Sequence, residues 1–162
     1  MATLTALEFP TAGGADAALS TVQELSTQNL IKIHDGAIVT WPEGKKKPKT
    51  RELNDMKSAG ALSGAFWGML FGLLFFIPIL GAAMGALAGA FTDVGISNEF
   101  IAKVREKVTP GTSALFLLTS DAVTDRVLEA MSKHEFELVA TNLSGEQEAQ
   151  LREAFEHEHE GV

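Results

Sequence analysis

The sequence predicts an α+β fold of the ferredoxin-like class, with a glycine-rich apolar helical hairpin inserted into it. Two observations predict this arrangement. The order strand, helix, strand occurs on both sides of a central segment, and residues 58–92 of that segment carry no charge. Because either βαβ half alone would leave an apolar sheet face in water, we expect the halves to share one four-stranded antiparallel sheet with two helices on one face.

The first half covers residues 1–44. A strand is predicted at residues 4–9, where Pro10 and the glycines that follow end it. Residues 15–27 have the period of an amphipathic helix, and residues 30–41 form a β-rich stretch with a bend predicted at Asp35-Gly36. The residues expected to face inward from the helix are Ala18, Leu19, Val22 and Leu25.

The second half covers residues 111–144 and repeats this order. It has an apolar strand at 113–119, a helix at 122–133 and a strand at 136–142. The residues expected to face inward from this helix are Val123, Val127, Leu128 and Met131. Residues 145–162 form an acidic helix or tail, in which Leu151 and Phe155 are four apart. This last helix either lies across the domain or serves as an interaction arm.

Residues 57–92 predict a helical hairpin. One straight helix of this length would reach roughly 50 Å, beyond a hydrocarbon core of about 30 Å, and Pro78 lies near its middle. We therefore expect arms near 57–75 and 77–92 with the turn at Pro78. Each arm reaches roughly 25 Å, so the hairpin either spans a bilayer narrowly or is re-entrant. Burial of the same hairpin inside a soluble oligomer is the alternative.

Both arms carry glycine at every fourth position. Each such glycine costs about 0.8–1 kcal/mol in a water-exposed helix, so the ladders must gain from close packing what they lose in propensity. A glycine zipper that joins the arms and then joins copies into a homo-oligomer explains the spacing. The predicted packing residues are Gly60, Gly64, Gly68, Gly72, Gly81, Gly85 and Gly89.

The charges flanking the hairpin bear on location and partners. The net charge of −8 argues against nucleic acid as a partner. The basic linker, residues 45–56, is either solvated or in contact with anionic lipid headgroups. Cations lie on both sides of the apolar segment, which predicts a protein of the cytoplasmic (inner) membrane with both termini cytoplasmic. The candidate headgroup contacts are Lys45, Lys46, Lys47, Lys49, Arg51 and Lys57.

No catalytic motif is present, and we predict that the chain is not an enzyme. It has no cysteine, which excludes thiolate catalysis and cysteine-based metal sites. His157 and His159 are interleaved with glutamates, but side chains two apart on a helix point about 200° away from each other. His34 and His134 are expected at the surface or at sheet edges. We therefore predict no metal site and no cofactor.

The run from the hairpin into the second half resembles a known family. Residues 91–101, FTDVGISNEFI, and residues 109–116, TPGTSALF, together with the glycine ladders, are similar to the bacterial family called domain of unknown function 1269. The resemblance implies a membrane hairpin inside a cytosolic domain and supplies no activity. Within residues 93–110, Asp93 and Ser97 are expected to cap a helix that runs to Lys107, and Pro110-Gly111 makes a turn.

Three functions fit these observations. The favoured one is a non-enzymatic integral membrane protein whose hairpins assemble into a homo-oligomeric scaffold, with an envelope or stress role. A pore or permeability factor is the second, although the arms lack a polar stripe to line a water-filled path. The third is a soluble ferredoxin-like sensor of an unidentified small ligand that buries its hairpin in an oligomer interface.

Overall fold

The computed structural model describes residues 2–53, 64–76, 96–120 and 124–143. Within them the chain forms an α+β fold with one five-stranded antiparallel sheet. The elements are β1 (Ala2–Phe9), α1 (Gly14–Thr27), β2 (Lys32–Thr40), β3 (Lys49–Glu52), α2 (Gly64–Phe71), a π-helical turn (Gly72–Phe76), α3 (Asn98–Lys107), β4 (Ser113–Ser120), α4 (Thr124–Met131) and β5 (Glu137–Leu143).

The sheet has the strand order β3-β2-β4-β1-β5, and every neighbouring pair is antiparallel. Strands of the two sequence halves alternate across it, since β4 lies between β2 and β1. The prediction that both halves build one antiparallel sheet is confirmed. The predicted number of four strands is wrong, because Lys49–Glu52 of the basic linker pairs along β2 from Thr40 to Ala37 and adds an edge strand.

Helices α1 and α4 cover one face of the sheet. On α1, the predicted inward residues Ala18, Val22 and Leu25 are buried and Leu19 is partly buried. On α4, Met131 is buried and Val127 packs against the same cluster. The prediction for Leu128 is wrong, because Leu128 is 56% exposed. It follows Val127 by one residue, or about 100° around the helix, and therefore turns away from the buried stripe. Val123 lies outside the described residues.

The opposite face of the sheet is covered by α2, the π-helical turn and α3. The predicted capping of α3 is confirmed at Ser97, whose Oγ accepts a hydrogen bond from the backbone N–H of Phe100 at 3.1 Å. Asp93 lies outside the described residues. After α3 the predicted turn is present, and Gly111 has a φ of 91°, a left-handed conformation that glycine adopts without strain. The sheet is thus sandwiched between two helical layers.

Two like charges face each other between β1 and β5. Glu8 and Glu137 are directly opposite in the antiparallel register, and Glu137 Oε2 lies 3.1 Å from Lys107 Nζ. Burial raises the pKa of Glu8, and the negative charge of Glu137 raises it further, whereas Lys107 lowers it. A carboxyl with a raised pKa in the folded state favours folding at low pH. That contribution is lost as the pH rises from the ordinary glutamate value, about 4.3, through the raised one.

We expect the variant Glu8→Gln to be more stable than the native chain at pH 7, by about 0.2–1 kcal/mol, because it removes a like-charge cross-strand pair. The gain should shrink as the pH falls toward the ordinary glutamate pKa, where the native carboxyl is protonated as well. Urea denaturation between pH 4 and pH 7 measures both quantities. A gain that does not change with pH would show that repulsion between Glu8 and Glu137 is not its source.

Candidate functional site

Helix α2 and the π-helical turn are docked on the sheet by one face. The side chains of Trp67, Leu70, Phe71 and Leu74 are at most 4% exposed. The rings of Trp67 and Phe71 stack at 5.7 Å, and both meet Phe116 of β4 edge to face, at 6.5 Å and 5.3 Å. Such aromatic pairs contribute beyond the area they bury. This part of the apolar segment is therefore a piece of the domain core.

A buried carboxylate anchors this helix. The register of β2 shifts between Ile33 and Asp35, and Asp35 is 4% exposed. Trp67 Nε1 donates to Asp35 Oδ2 at 2.9 Å, and the backbone N–H of Gly36 donates to Oδ1 at 2.8 Å. A buried carboxylate needs such donors to offset its lost hydration. Strand β2 continues through Asp35-Gly36, where the sequence predicted a bend, and Asp35 anchors α2 there.

Gly64–Phe76, the described part of the predicted arm at 57–75, is docked on the sheet. Each large apolar side chain that docking buries from water contributes about 1.5–3 kcal/mol. Docking covers two apolar surfaces at once, the helix and the sheet. No helix among the described residues has the length and apolar character needed to cross a membrane.

The structure shows one position of the predicted glycine ladder to be exposed. Gly68 is exposed, and a Cβ added there would meet no described atom within 4 Å. Gly64 and Gly72, one step away on either side, begin α2 and the π-helical turn. The other predicted packing positions and the turn at Pro78 lie outside the described residues. Those packing positions are Gly60, Gly81, Gly85 and Gly89. Gly68 thus faces away from the sheet.

The basic linker lies beside the end of the apolar helix. Trp41 Nε1 donates to the backbone carbonyl of Lys45 at 2.9 Å, and the Trp41 ring meets Phe75 edge to face at 6.0 Å. We call residues 41–49 together with Phe75 the basic corner. Its exposed cations are Lys45, Lys46, Lys47 and Lys49. The corner joins aromatic rings to a cluster of positive charge at the point where the chain leaves toward residue 77.

The remaining predicted cations do not add to this cluster in the described structure. Arg51 Nη2 lies 2.9 Å from Asp16 Oδ1 on α1, with both side chains more than half exposed. An ion pair this exposed contributes about 0–1 kcal/mol. Lys57 lies outside the described residues. The cations of the basic corner are therefore the four lysines that precede Arg51.

The histidines pair with hydroxyl groups across the fold. His34 Nε2 lies 2.8 Å from Ser120 Oγ, and His134 Nε2 lies 2.8 Å from Thr21 Oγ1. Both histidines are partly exposed, and each links two elements. Across the described ranges no three His, Asp or Glu side chains come together as metal ligands. His157 and His159 lie outside those ranges. The structure thus assigns the two described histidines to positioning contacts.

Fold and site together define a small α+β protein that keeps an apolar, glycine-bearing helix in its core beside a basic corner. The sequence profile of the family described as "Protein of unknown function (DUF1269)" matches residues 61–156, and the chain belongs to that family. The match begins just before α2 and extends past β5. No curated protein and no solved structure matches the chain significantly.

Proposed function

We propose that the chain is a non-enzymatic, self-associating protein that presents an apolar, glycine-laddered segment from a ferredoxin-like domain and uses it to join copies at a membrane. One observation carries the proposal. Leu74 and Ile96, on either side of the undescribed residues 77–95, belong to one buried cluster on one sheet face. Both ends of the apolar segment therefore lie on the same side of the sheet.

The length of that segment limits how deeply it enters a bilayer. A helical path through residues 77–95 is about 28 Å long in total, so a path out and back reaches a depth of roughly 14 Å. That is about half of a hydrocarbon core of about 30 Å. We propose a re-entrant or interfacial element with both termini on the cytoplasmic side of the inner membrane, in place of a hairpin that crosses it. A pore would need a full crossing.

The basic corner supports contact with anionic lipid. Each lysine near an anionic surface contributes about 1 kcal/mol, so four contribute about 4 kcal/mol. The net charge of −8 opposes approach. Charges farther from the surface than about 8 Å are screened at physiological salt, however, so the local cluster dominates. Trp41 and Phe75 supply the aromatic groups that favour the membrane–water interface. The lysines then face headgroups while residues 77–92 meet acyl chains.

Fractionation and vesicle binding test this function. We expect the native chain to stay with membranes through a carbonate wash and to crosslink as an oligomer in mild detergent. Replacing all four corner lysines by glutamine should weaken binding to vesicles containing anionic lipid by about tenfold or more. A matched control replaces four exposed cations elsewhere, Lys32, Lys103, Arg126 and Lys133. Complete extraction of a monomer by carbonate would overturn the proposal.

The soluble ligand sensor is the second candidate, and the docking of α2 favours it. A chain that already buries the inner face of residues 67–74 in its own domain has less apolar surface for a membrane to cover. In that case residues 77–92 would be buried between copies of the chain. Recovery of an oligomer in the supernatant without detergent identifies this candidate.

A further inference from the structure

A cavity of about 200 Å³ lies between the sheet and the helices α1 and α4. Its walls are largely apolar, and the buried side chains of Val22, Leu25 and Met131 are among those that line it. Leu128 and Leu138 line it too, and each is 56% exposed, so they mark where the cavity opens. Among the described residues that line it, none carries a charge. The cavity therefore suits an uncharged molecule, because a charged one would lose its hydration there without gaining a partner.

One polar group at the wall of this cavity lacks a partner. Thr119 of β4 lines the cavity and is 6% exposed. Within the described ranges its hydroxyl has no hydrogen-bond partner, whereas every fully enclosed side-chain nitrogen or oxygen there has one. The Thr119 oxygen is therefore reachable from the cavity. A buried hydroxyl that forms no hydrogen bond costs free energy, and a ligand that supplies the partner recovers it.

The Thr119 hydroxyl lies at the inner end of the cavity. Along β4, Leu118 faces α2, so Leu117 and Thr119 on either side of it face α1 and α4. Thr119 is directly opposite Thr3 of β1, and β1 separates β4 from β5, which carries Leu138. Two strand spacings, about 10 Å, therefore separate the hydroxyl from the opening. A molecule that enters between the exposed leucines meets the hydroxyl at its far end.

The volume limits the ligand to a small molecule. An apolar cavity of about 150 Å³ holds benzene, so one of about 200 Å³ holds a single ring with one or two small substituents. Phe136 and Met131 line the cavity, and both kinds of side chain contact aromatic rings favourably. We propose that the cavity is a binding site for a small uncharged aromatic molecule whose hydroxyl group forms a hydrogen bond with Thr119.

This site goes beyond the proposed membrane association and does not depend on it. The cavity lies on the face of the sheet that α1 and α4 cover, whereas α2, which carries Gly68, covers the other face. A substitution at Gly68 that disrupts self-association should therefore leave ligand binding unchanged. The exposed leucines also suit a second copy of the chain, but a copy packed on them would exclude the ligand.

The compounds p-cresol and p-xylene test the site as a matched pair, because they have the same size and differ by a hydroxyl in place of a methyl group. Each is titrated into the full native chain, with its free concentration fixed by dialysis so that uptake by detergent does not enter. Binding is followed by the nuclear magnetic resonance signal of the Met131 methyl group, which lines the cavity. We expect both compounds to bind with a dissociation constant below about 1 mM.

The variant Thr119→Val removes the hydroxyl and keeps the shape of the side chain. It should weaken the binding of p-cresol about three- to tenfold, the loss of one hydrogen bond, and leave p-xylene bound at least as tightly. Unchanged binding of p-xylene also shows that the cavity of the variant is intact. The matched control Thr50→Val makes the same change at an exposed position of β3 and should alter neither affinity.

Two results would overturn the site. If p-cresol fails to shift the Met131 signal of the native chain at free concentrations up to about 1 mM, the cavity does not accept such a molecule, whatever else fills it. If Thr119→Val leaves p-cresol binding unchanged, or weakens p-cresol and p-xylene equally, the hydroxyl does not hold the ligand. Neither result bears on self-association, which is measured separately.

Discussion

Replacing Trp67 by alanine is expected to lower the free energy of unfolding by about 3–5 kcal/mol. The side chain is 1% exposed and packs against Phe71 and Phe116, so the truncation leaves a cavity between α2 and the sheet. It also removes the indole N–H that Asp35 Oδ2 accepts, inside a buried site. Urea denaturation followed by circular dichroism measures the loss, which is a large fraction of the stability of a small domain.

The variant Trp67→Phe is the matched control, because it keeps an aromatic ring and removes the donor. We expect it to cost about 1–3 kcal/mol, the penalty of leaving a buried acceptor with one partner fewer. Combining Trp67→Phe with Asp35→Ala should cost less than the sum of the two single changes, since both remove the same hydrogen bond. If Trp67→Ala unfolds at the same urea concentration as the native chain, α2 is not part of the domain core.

Replacing Gly68 by leucine is expected to abolish self-association while leaving the fold intact. The position is exposed, and an added Cβ meets no described atom within 4 Å, so the domain has room for the new side chain. A helix partner packed on the glycine stripe has no such room, because small residues are what allow backbones to approach closely. Analytical ultracentrifugation in mild detergent should show the native oligomer replaced by monomer, with an unchanged far-ultraviolet spectrum.

Two further leucine variants test whether the glycine stripe is the packing surface. Gly64→Leu lies on the same stripe and should also disrupt assembly. Gly13→Leu, at an exposed glycine before α1 where an added Cβ meets no described atom within 4 Å, should leave the oligomer intact. Urea denaturation of each variant separates loss of assembly from loss of fold. If all three leucines have the same effect on the oligomer, close packing along the glycine stripe is not what joins the copies.

Local patterns predicted most of the elements. The period of α1 identified its buried residues, and Ser97 marked the start of α3. The sharing of one sheet by both halves followed from the need to cover an apolar face, and the structure agrees. These predictions succeeded because capping, helical periodicity and strand alternation depend on residues close in sequence.

The docking of α2 on the sheet, which the sequence did not predict, depends on residues far apart in sequence. The hydrogen bond from Trp67 to Asp35 joins residues 32 positions apart, and it links α2 to the sheet. An apolar helix has the same composition whether a sheet or a lipid covers it. The one acidic residue in the strand at 30–41, Asp35, and the indole N–H of Trp67 in the apolar helix were the available signals. Strand β3 was missed because its residues, Lys49–Glu52, are mostly charged.

The emission of Trp67 in a lipid-bound chain tests the docking of α2 most directly. The chain has two tryptophans, so Trp41→Phe leaves Trp67 as the single reporter. Vesicles are prepared with anionic lipid whose acyl chains carry bromine, which quenches indole on contact. We predict that bound Trp67 keeps its full emission, and that Trp41 in the Trp67→Phe variant is quenched. Strong quenching of Trp67 would place α2 in the bilayer and contradict its docking on the sheet.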